Sequence, residues 1–220
     1  MNKSIILLSG GLDSIVALGE CKEKYGIELA ITFDYGQKAL KEEVSASKSI
    51  CDFYEIKHKI IKLDWLKEIS NSSLVTDSSI PENNFESLEN TKSVWIPNRN
   101  GLFLNIAACY ADSYGYNYII FGANKDEATT FPDNTEEFRY QISKTFETST
   151  LVKPKVIAPL INYTKNDIVK IAIKRGIPLE FVRSCYNSGT KHCGKCASCN
   201  HLKNALLENN CTDIIEKIFE

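Results

Sequence analysis

An apolar run, Ile5-Ile6-Leu7-Leu8, passes directly into Ser9-Gly10-Gly11-Leu12-Asp13-Ser14 and from there into a helical pattern that reaches Tyr25. A short strand apolar on both sides, returning through a helix, restricts the chain to sheets covered on both faces. The alternation continues along the chain. Gly26 supplies a left-handed helix stop, and residues 28–33 form a second strand run. A helix over about 38–53 and a third strand near 56–63 follow. A helix over 101–113 places Leu102, Ile106 and Cys109 on one face, and residues 118–121 and 155–160 read as two further strands. Thr164 with Asp167 forms a capping box opening a helix that stops at Gly176 before Pro178. These elements predict a parallel, Rossmann-like sheet joined by helical crossovers. Ligands in such sheets sit at the carboxyl ends of the strands, where Ser9-Gly10-Gly11 and Asp34-Tyr35-Gly36-Gln37 both fall. Between 68 and 93 the composition turns to Ser, Asn, Glu and Asp, which predicts a long mobile loop or lid.

The turn after the first strand has the chemistry of a pyrophosphate cradle. Two glycines let the backbone approach an anion, and the free N–H groups at the helix start point toward it. Ser9 and Ser14 add hydroxyls. Asp13 is the odd member, since a carboxylate beside phosphates repels them unless it holds Mg²⁺ or caps the helix. The loop is not a G-x-x-x-x-G-K-[ST] loop, because that spacing and its lysine are missing. The plainer reading is a glycine-rich turn with Ser and Asp as helix caps.

With 220 residues and 43% hydrophobic content the chain can bury a core, and its length fits one domain or one with a small appendage. A net charge of −2 opposes a general nucleic-acid footprint. No export signal or 18-residue apolar run is visible, so a cytoplasmic protein with no membrane segment is expected. Of eight cysteines, Cys21, Cys51, Cys109 and Cys211 are scattered, whereas Cys185, Cys193, Cys196 and Cys199 crowd into one short segment. Two chained C-x₂-C units can clasp one tetrahedral ion, with Zn²⁺ the first choice in a structural role and an iron–sulfur cluster the other use of the same ligands. His192 and His201 lie beside the cluster as alternative ligands, and His58 reads as a hydrogen-bonded structural histidine. The predicted division is an α/β domain over 1–160 and a helical zinc-binding region over 161–220.

Ser9-Gly10-Gly11-Leu12-Asp13-Ser14 resembles the loop of the ATP pyrophosphatases, which split ATP between the α- and β-phosphates. Phe33-Asp34-Tyr35-Gly36-Gln37, Ile96-Pro97-Asn98-Arg99-Asn100, Phe121-Gly122-Ala123-Asn124, Phe131-Pro132-Asp133, Ala158-Pro159-Leu160 and Ser184-Cys185-Tyr186 with three more cysteines follow in order. This set resembles the QueC family, the 7-cyano-7-deazaguanine synthases, over nearly the whole chain. The resemblance implies a queuosine-pathway ligase in which the carboxylate of 7-carboxy-7-deazaguanine attacks the α-phosphate of ATP. Ammonia then gives an amide, and a second ATP drives its dehydration to the nitrile. It implies ATP, Mg²⁺ and Zn²⁺ as cofactors and a homodimer. By the same likeness Ser9, Gly10, Gly11, Asp13 and Ser14 hold the phosphates, and Tyr35 and Gln37 lie beside the nucleotide. Arg99 and Asn100 lie near phosphates and acceptor, with Asp13, Ser14 and Arg99 assigned to catalysis. Phe131 and Asp133 sit at the deazaguanine.

Several positions depart from the family pattern. Lys38 and Ala39 stand where Arg and His usually follow, Asn98 replaces a glycine, and Asn134-Thr135-Glu136 stand within a segment usually reading Cys-Arg-Pro-Glu. The phosphate loop and cysteines are kept while the acceptor end differs. This pattern keeps open a QueC-like ligase that joins the activated deazaguanine to a protein amine, such as an N-terminus, in antiphage defence. A tRNA-modifying ATP pyrophosphatase is a third reading, which the acidic balance opposes. The C-terminal residues Ile214, Ile215, Ile218 and Phe219 offer an apolar face suited to either core or dimer contact.

Overall fold

The computed structural model describes residues 2–82 and 88–220. In chain order the elements are β1 (Ser4–Leu7), α1 (Leu12–Tyr25), β2 (Ile27–Asp34), α2 (Leu40–Tyr54), β3 (Lys57–Lys62), α3 (Asp64–Glu68), α4 (Leu88–Ser93) and α5 (Arg99–Tyr114). There follow β4 (Tyr118–Ile120), α6 (Lys125–Ala128), α7 (Glu136–Ser149), β5 (Lys155–Ile157), α8 (Lys165–Arg175), α9 (Ala197–Glu208) and α10 (Thr212–Ile218).

The strands form one parallel sheet in the order β3-β2-β1-β4-β5. The order reverses at β1, so a crevice opens beyond its carboxyl end between the two halves of the sheet. The apolar pattern follows strand position. Every residue of β1 is buried, whereas edge strand β3, LysHisLysIleIleLys, is largely exposed. Ile5 and Ile6 are fully enclosed, and each such side chain contributes about 1.5–3 kcal/mol.

The helix stops and caps follow local rules. Gly26 and Gly176 adopt the left-handed conformation at the ends of α1 and α8. The Thr164 hydroxyl accepts the Asp167 N–H at 3.2 Å while the Asp167 carboxylate accepts the Thr164 N–H at 3.2 Å. The expected histidine role at residue 58 also holds: its Nε2 lies 2.8 Å from the Thr32 hydroxyl, which donates to the Leu8 carbonyl.

Two expectations need correction. On α5 the buried face is Phe103, Leu104, Ala107, Ala108 and Ala111, while Leu102 and Ile106 flank it and Cys109 is exposed. Small alanines against the sheet let this helix approach closely, which an apolar-only count overlooks. The described part of 68–93 is packed rather than lid-like: Ser70, Ser72, Ser73, Leu74, Val75 and Ile80 are buried. The Ser72 and Ser73 hydroxyls and the Ser73 N–H all donate to the Ser93 carbonyl, and the Lys38 N–H donates to Leu74 at 2.9 Å. Serine hydroxyls satisfy buried backbone there, so polar composition does not mean solvent exposure. Residues 83–87 of the expected lid lie outside the described residues. Of the two uses left open for the C-terminal apolar face, core packing is the one seen: Ile218 and Phe219 are buried, with Ile214 and Ile215 packed against the core.

The core runs from the sheet through α8 and α9 to Phe219. Among the described residues no helix is long and apolar enough to cross a membrane.

Candidate functional site

The loop between β1 and α1 closes on itself. Ser14 Oγ accepts the Ser9 N–H at 3.3 Å and donates to the Gly11 carbonyl at 3.0 Å, while Ser9 Oγ accepts the Gly11 N–H at 3.3 Å. The two serines therefore shape the loop from within. Gly10 has φ +78°, and a Cβ there would meet Ala46 Cβ and the Glu43 carbonyl, both at 2.8 Å. Only glycine fits. Gly122 at the end of β4 is tight for another reason, since its Cβ would stand 2.7 Å from the Asp13–Ser14 backbone.

This loop forms one wall of a cleft lined by Ser9, Gly11, Asp13, Ser14, Tyr35, Gln37, Arg99 and Asn100. Gly10 stands behind them. The cleft also takes in four groups that the sequence reading did not assign: Lys165, Glu127, Glu43 and Tyr186. Lys165 Nζ bonds Asp13 Oδ2 and lies 2.8 Å from Glu127 Oε1. The other Asp13 oxygen, Oδ1, is buried without a hydrogen-bond partner. Burial pushes the Asp13 carboxyl up against the pull of Lys165. Burial also acts to raise Glu127, but the ammonium of Lys165 holds its carboxyl below the ordinary value. The two carboxylates more than offset burial at Lys165 and keep its ammonium charged.

Gln37 is bound into the β2–α2 turn. Its Oε1 accepts the Tyr35 N–H at 3.0 Å, and its Nε2 donates to the Phe33 carbonyl at 3.0 Å and to Glu43 Oε2 at 2.8 Å. Arg99 Nη1 donates to the Tyr35 hydroxyl at 3.1 Å. Despite burial, the Tyr35 and Asp133 oxygens keep that guanidinium charged. Asn98, where the family pattern has glycine, caps α5 with φ +50°. Asparagine is among the few side chains that accept this conformation, so the turn presenting Arg99 survives the exchange.

A smaller pocket joins the cleft through Arg99, Glu127, Asn134 and Tyr186. It is lined by Trp95, Phe131 and Asp133, with Leu74 contributed by the packed segment after α3. The Trp95 and Phe131 rings lie nearly parallel, 12° apart in plane with centroids at 5.7 Å. Asp133 is buried, and this raises its carboxyl against the opposing pull of Arg99. Asn100 Nδ2 donates to the Asp133 carbonyl at 3.3 Å.

The four clustered cysteines converge, with their sulfurs all within 4.8 Å of one another and Cys193 Sγ 3.8 Å from Cys199 Sγ. A tetrahedral zinc site with Zn–S near ~2.3 Å needs sulfurs about 3.8 Å apart, so the set fits the ion. Hydrogen bonds from Cys196 and Cys199 favour the Cys185 thiolate. His192 is engaged elsewhere: its Nε2 accepts the Ser184 N–H at 3.0 Å and its Nδ1 faces the Ile218 carbonyl at 3.0 Å. His201 lines a pocket beside the cleft.

Fold and site define a Rossmann-like protein with a glycine loop at its switch point and a cluster of four thiols that could hold a metal ion in its C-terminal part. Residues 3–210 match the family described as queuosine biosynthesis protein QueC. Proteins named 7-cyano-7-deazaguanine synthase are 46% identical over 90% of this chain and 90% of their own in Methanosarcina mazei, and 44% identical over 97% of each in Methanosphaera stadtmanae. The Bdellovibrio bacteriovorus protein of that name is 43% identical over 94% of each. The chain belongs to the QueC family. At the level of fold alone it resembles an NH3-dependent NAD synthetase from Campylobacter jejuni (17% identity, TM-score 0.50, 98% of this chain and 78% of that one). An NMN synthetase from Francisella tularensis is similar to the same degree (15% identity, TM-score 0.50, 94% of this chain and 76% of that one).

Proposed function

We propose that this protein is an ATP-dependent ligase that converts 7-carboxy-7-deazaguanine and ammonia to 7-cyano-7-deazaguanine. The observation that carries this reading is that the cleft at the glycine loop and the pocket of Trp95, Phe131 and Asp133 share Arg99, Glu127, Asn134 and Tyr186 in their walls. In this reading the triphosphate takes the loop end and the flat, hydrogen-bonding heterocycle the aromatic end.

In this reading the triphosphate lies on the α1 N-terminus, whose N–H groups favour negative charge. The substrate carboxylate attacks the α-phosphorus, and the bond to the β-phosphate oxygen breaks to release pyrophosphate. Lys165 and Arg99 hold the charge that shifts onto the phosphates, and alignment supplies most of the gain. Ammonia then attacks the acyl carbon, AMP leaves, and the amide remains. The amide oxygen attacks a second ATP in the same way, and loss of AMP with two protons leaves the nitrile. Asp13 and Glu127 would hold Mg²⁺, which offsets phosphate charge when bound; the orphaned Asp13 oxygen suits a cation. The cysteine cluster would hold Zn²⁺ with no open position, and so serves structure. Trp95 and Phe131 offer aromatic faces to the heterocycle, and Asp133 an acceptor for its N–H groups.

A second reading, transfer of the activated acyl group to a larger amine, is favoured by one observation. Beside the cleft lies a cavity of about 390 Å³ lined by Asp126, Glu127, Thr129, Thr130, Phe131 and His201. Ammonia, similar in size to a water molecule of about 30 Å³, would leave it largely empty. Incubation with ATP, Mg²⁺, 7-carboxy-7-deazaguanine and ammonium, followed by mass spectrometry, separates the two. The nitrile establishes the synthase, while pyrophosphate release that stalls at the adenylate or the amide points to the larger amine.

A further inference from the structure

Ser184 immediately precedes Cys185 and lies between the thiol cluster and the glycine loop. Its Oγ accepts the N–H of Leu12, the first residue of α1, at 3.3 Å. The hydroxyl oxygen is thereby fixed, and among the described residues its proton has no protein acceptor. The residue lines both the main cleft and the cavity beside it. Its backbone is held as firmly. The Ser184 N–H donates to His192 Nε2 at 3.0 Å, and the Arg183 N–H donates to the Gly10 carbonyl at 2.7 Å. The Arg183 carbonyl and Ser184 Oγ each stand 3.9 Å from where a Gly11 Cβ would be. The strap therefore touches both loop glycines, and its next residue is a thiol of the metal cluster.

A hydroxyl that accepts a helix-start N–H and keeps a free proton beside the next turn of free N–H groups is a donor directed at an anion. We propose that Ser184 is a phosphate ligand of the nucleotide, carried on the cysteine strap, and that metal occupancy fixes it in place. The proposal rests on the nucleotide reading of the cleft. Ser14 Oγ donates to the Gly11 carbonyl and Ser9 Oγ faces Ser14 Oγ at 3.2 Å, so both loop hydroxyls are engaged within the loop and Ser184 supplies the side-chain hydroxyl that the loop itself does not spare. Because binding linkage is reciprocal, the nucleotide then tightens metal binding by the factor through which metal tightens the nucleotide.

The test compares wild type, Ser184→Ala and Ser184→Thr by calorimetric titration with MgATP, by competition of Zn²⁺ against a chelator with and without ATP, and by melting temperature. Ser184→Ala is expected to weaken ATP binding roughly tenfold to a hundredfold, the range for a hydrogen bond to a charged group, while one Zn²⁺ per chain remains bound. Threonine restores the affinity, and ATP tightens Zn²⁺ in wild type more than in the alanine variant. A lower melting temperature with unchanged ATP affinity reduces Ser184 to a helix cap and overturns the proposal. Folded wild type that binds no ATP overturns the nucleotide reading, and the proposal with it.

Discussion

The glycine-loop end of the cleft and the aromatic end are built differently. The loop is made by six consecutive residues, 9–14, and its shape is set by backbone, by Gly10 at φ +78° and by the Ser9–Ser14 hydrogen bonds. The aromatic end is made by side chains from separate segments: Leu74, Trp95, Arg99, Phe131, Asp133 and Tyr186. Backbone-built sites tolerate little change, whereas side-chain-built sites can change occupant by exchange of a few residues. In this chain the departures at Asn98 and at 134–136 fall on the segments that carry Arg99 and Asp133, those at Lys38 and Ala39 fall on the turn after Gln37, and residues 9–14 are intact. On the proposed function, this difference would make activation of a carboxylate and choice of its acceptor separable in this fold.

The largest expected effect is at the loop. Asp13→Ala removes the carboxylate that faces Lys165, and release of pyrophosphate should fall about a thousandfold in a coupled assay. Release at the wild-type rate would break the assignment of the loop as the activating end. Gly10→Ala should destabilise the protein by about 2–3 kcal/mol in urea unfolding, because strain at positive φ adds to two contacts at 2.8 Å. A loss under 0.5 kcal/mol would mean the loop is not backbone-determined.

Asp133→Asn probes the other end. It should raise KM for the deazaguanine acid roughly tenfold to a hundredfold while leaving KM for ATP within about twofold, as expected when one buried recognition group is altered. The same change should affect stability in the opposite sense. The folded protein raises the Asp133 carboxyl, so it binds that proton more readily than the unfolded chain does. Its favourable contribution is present below the unfolded pKa and is lost as pH rises through the folded one. Asparagine has no such loss, so the stability of the variant relative to wild type should increase between pH 4 and pH 8 in denaturant titrations. A pH-independent difference would remove Asp133 from the buried acceptor site. The smallest effect belongs outside both ends: Glu136→Ala breaks a surface pair with Arg139 on α7 and should cost less than about 0.5 kcal/mol, with kcat unchanged.

What could be read from sequence follows the same division. Local signals were sufficient for the loop, the Thr164–Asp167 capping box and the glycine helix stops, because each depends on residues a few positions apart. The cysteine cluster was legible because its spacing alone implies one site. Lys165 and Glu127 were not, since they meet Asp13 only through folding over long separations. The signal nearest to hand was capping: Glu127 stands at the third position after the Asn124 cap, and Lys165 directly follows Thr164. Helix α7 could have been found from Phe138, Ile142 and Phe146 at four-residue spacing behind the Thr135 cap. The packed serines at 70–73 follow no periodic pattern, and their burial depends on the Ser93 carbonyl about twenty residues away.

The central claim, that the loop end activates the carboxylate held at the aromatic end, is tested most directly with 7-carboxy-7-deazaguanine labelled with ¹⁸O in both carboxylate oxygens. Attack on the α-phosphorus transfers a carboxylate oxygen to AMP, so AMP carrying one ¹⁸O per molecule is the predicted result. Unlabelled AMP, or ADP with ¹⁸O in inorganic phosphate, would contradict it.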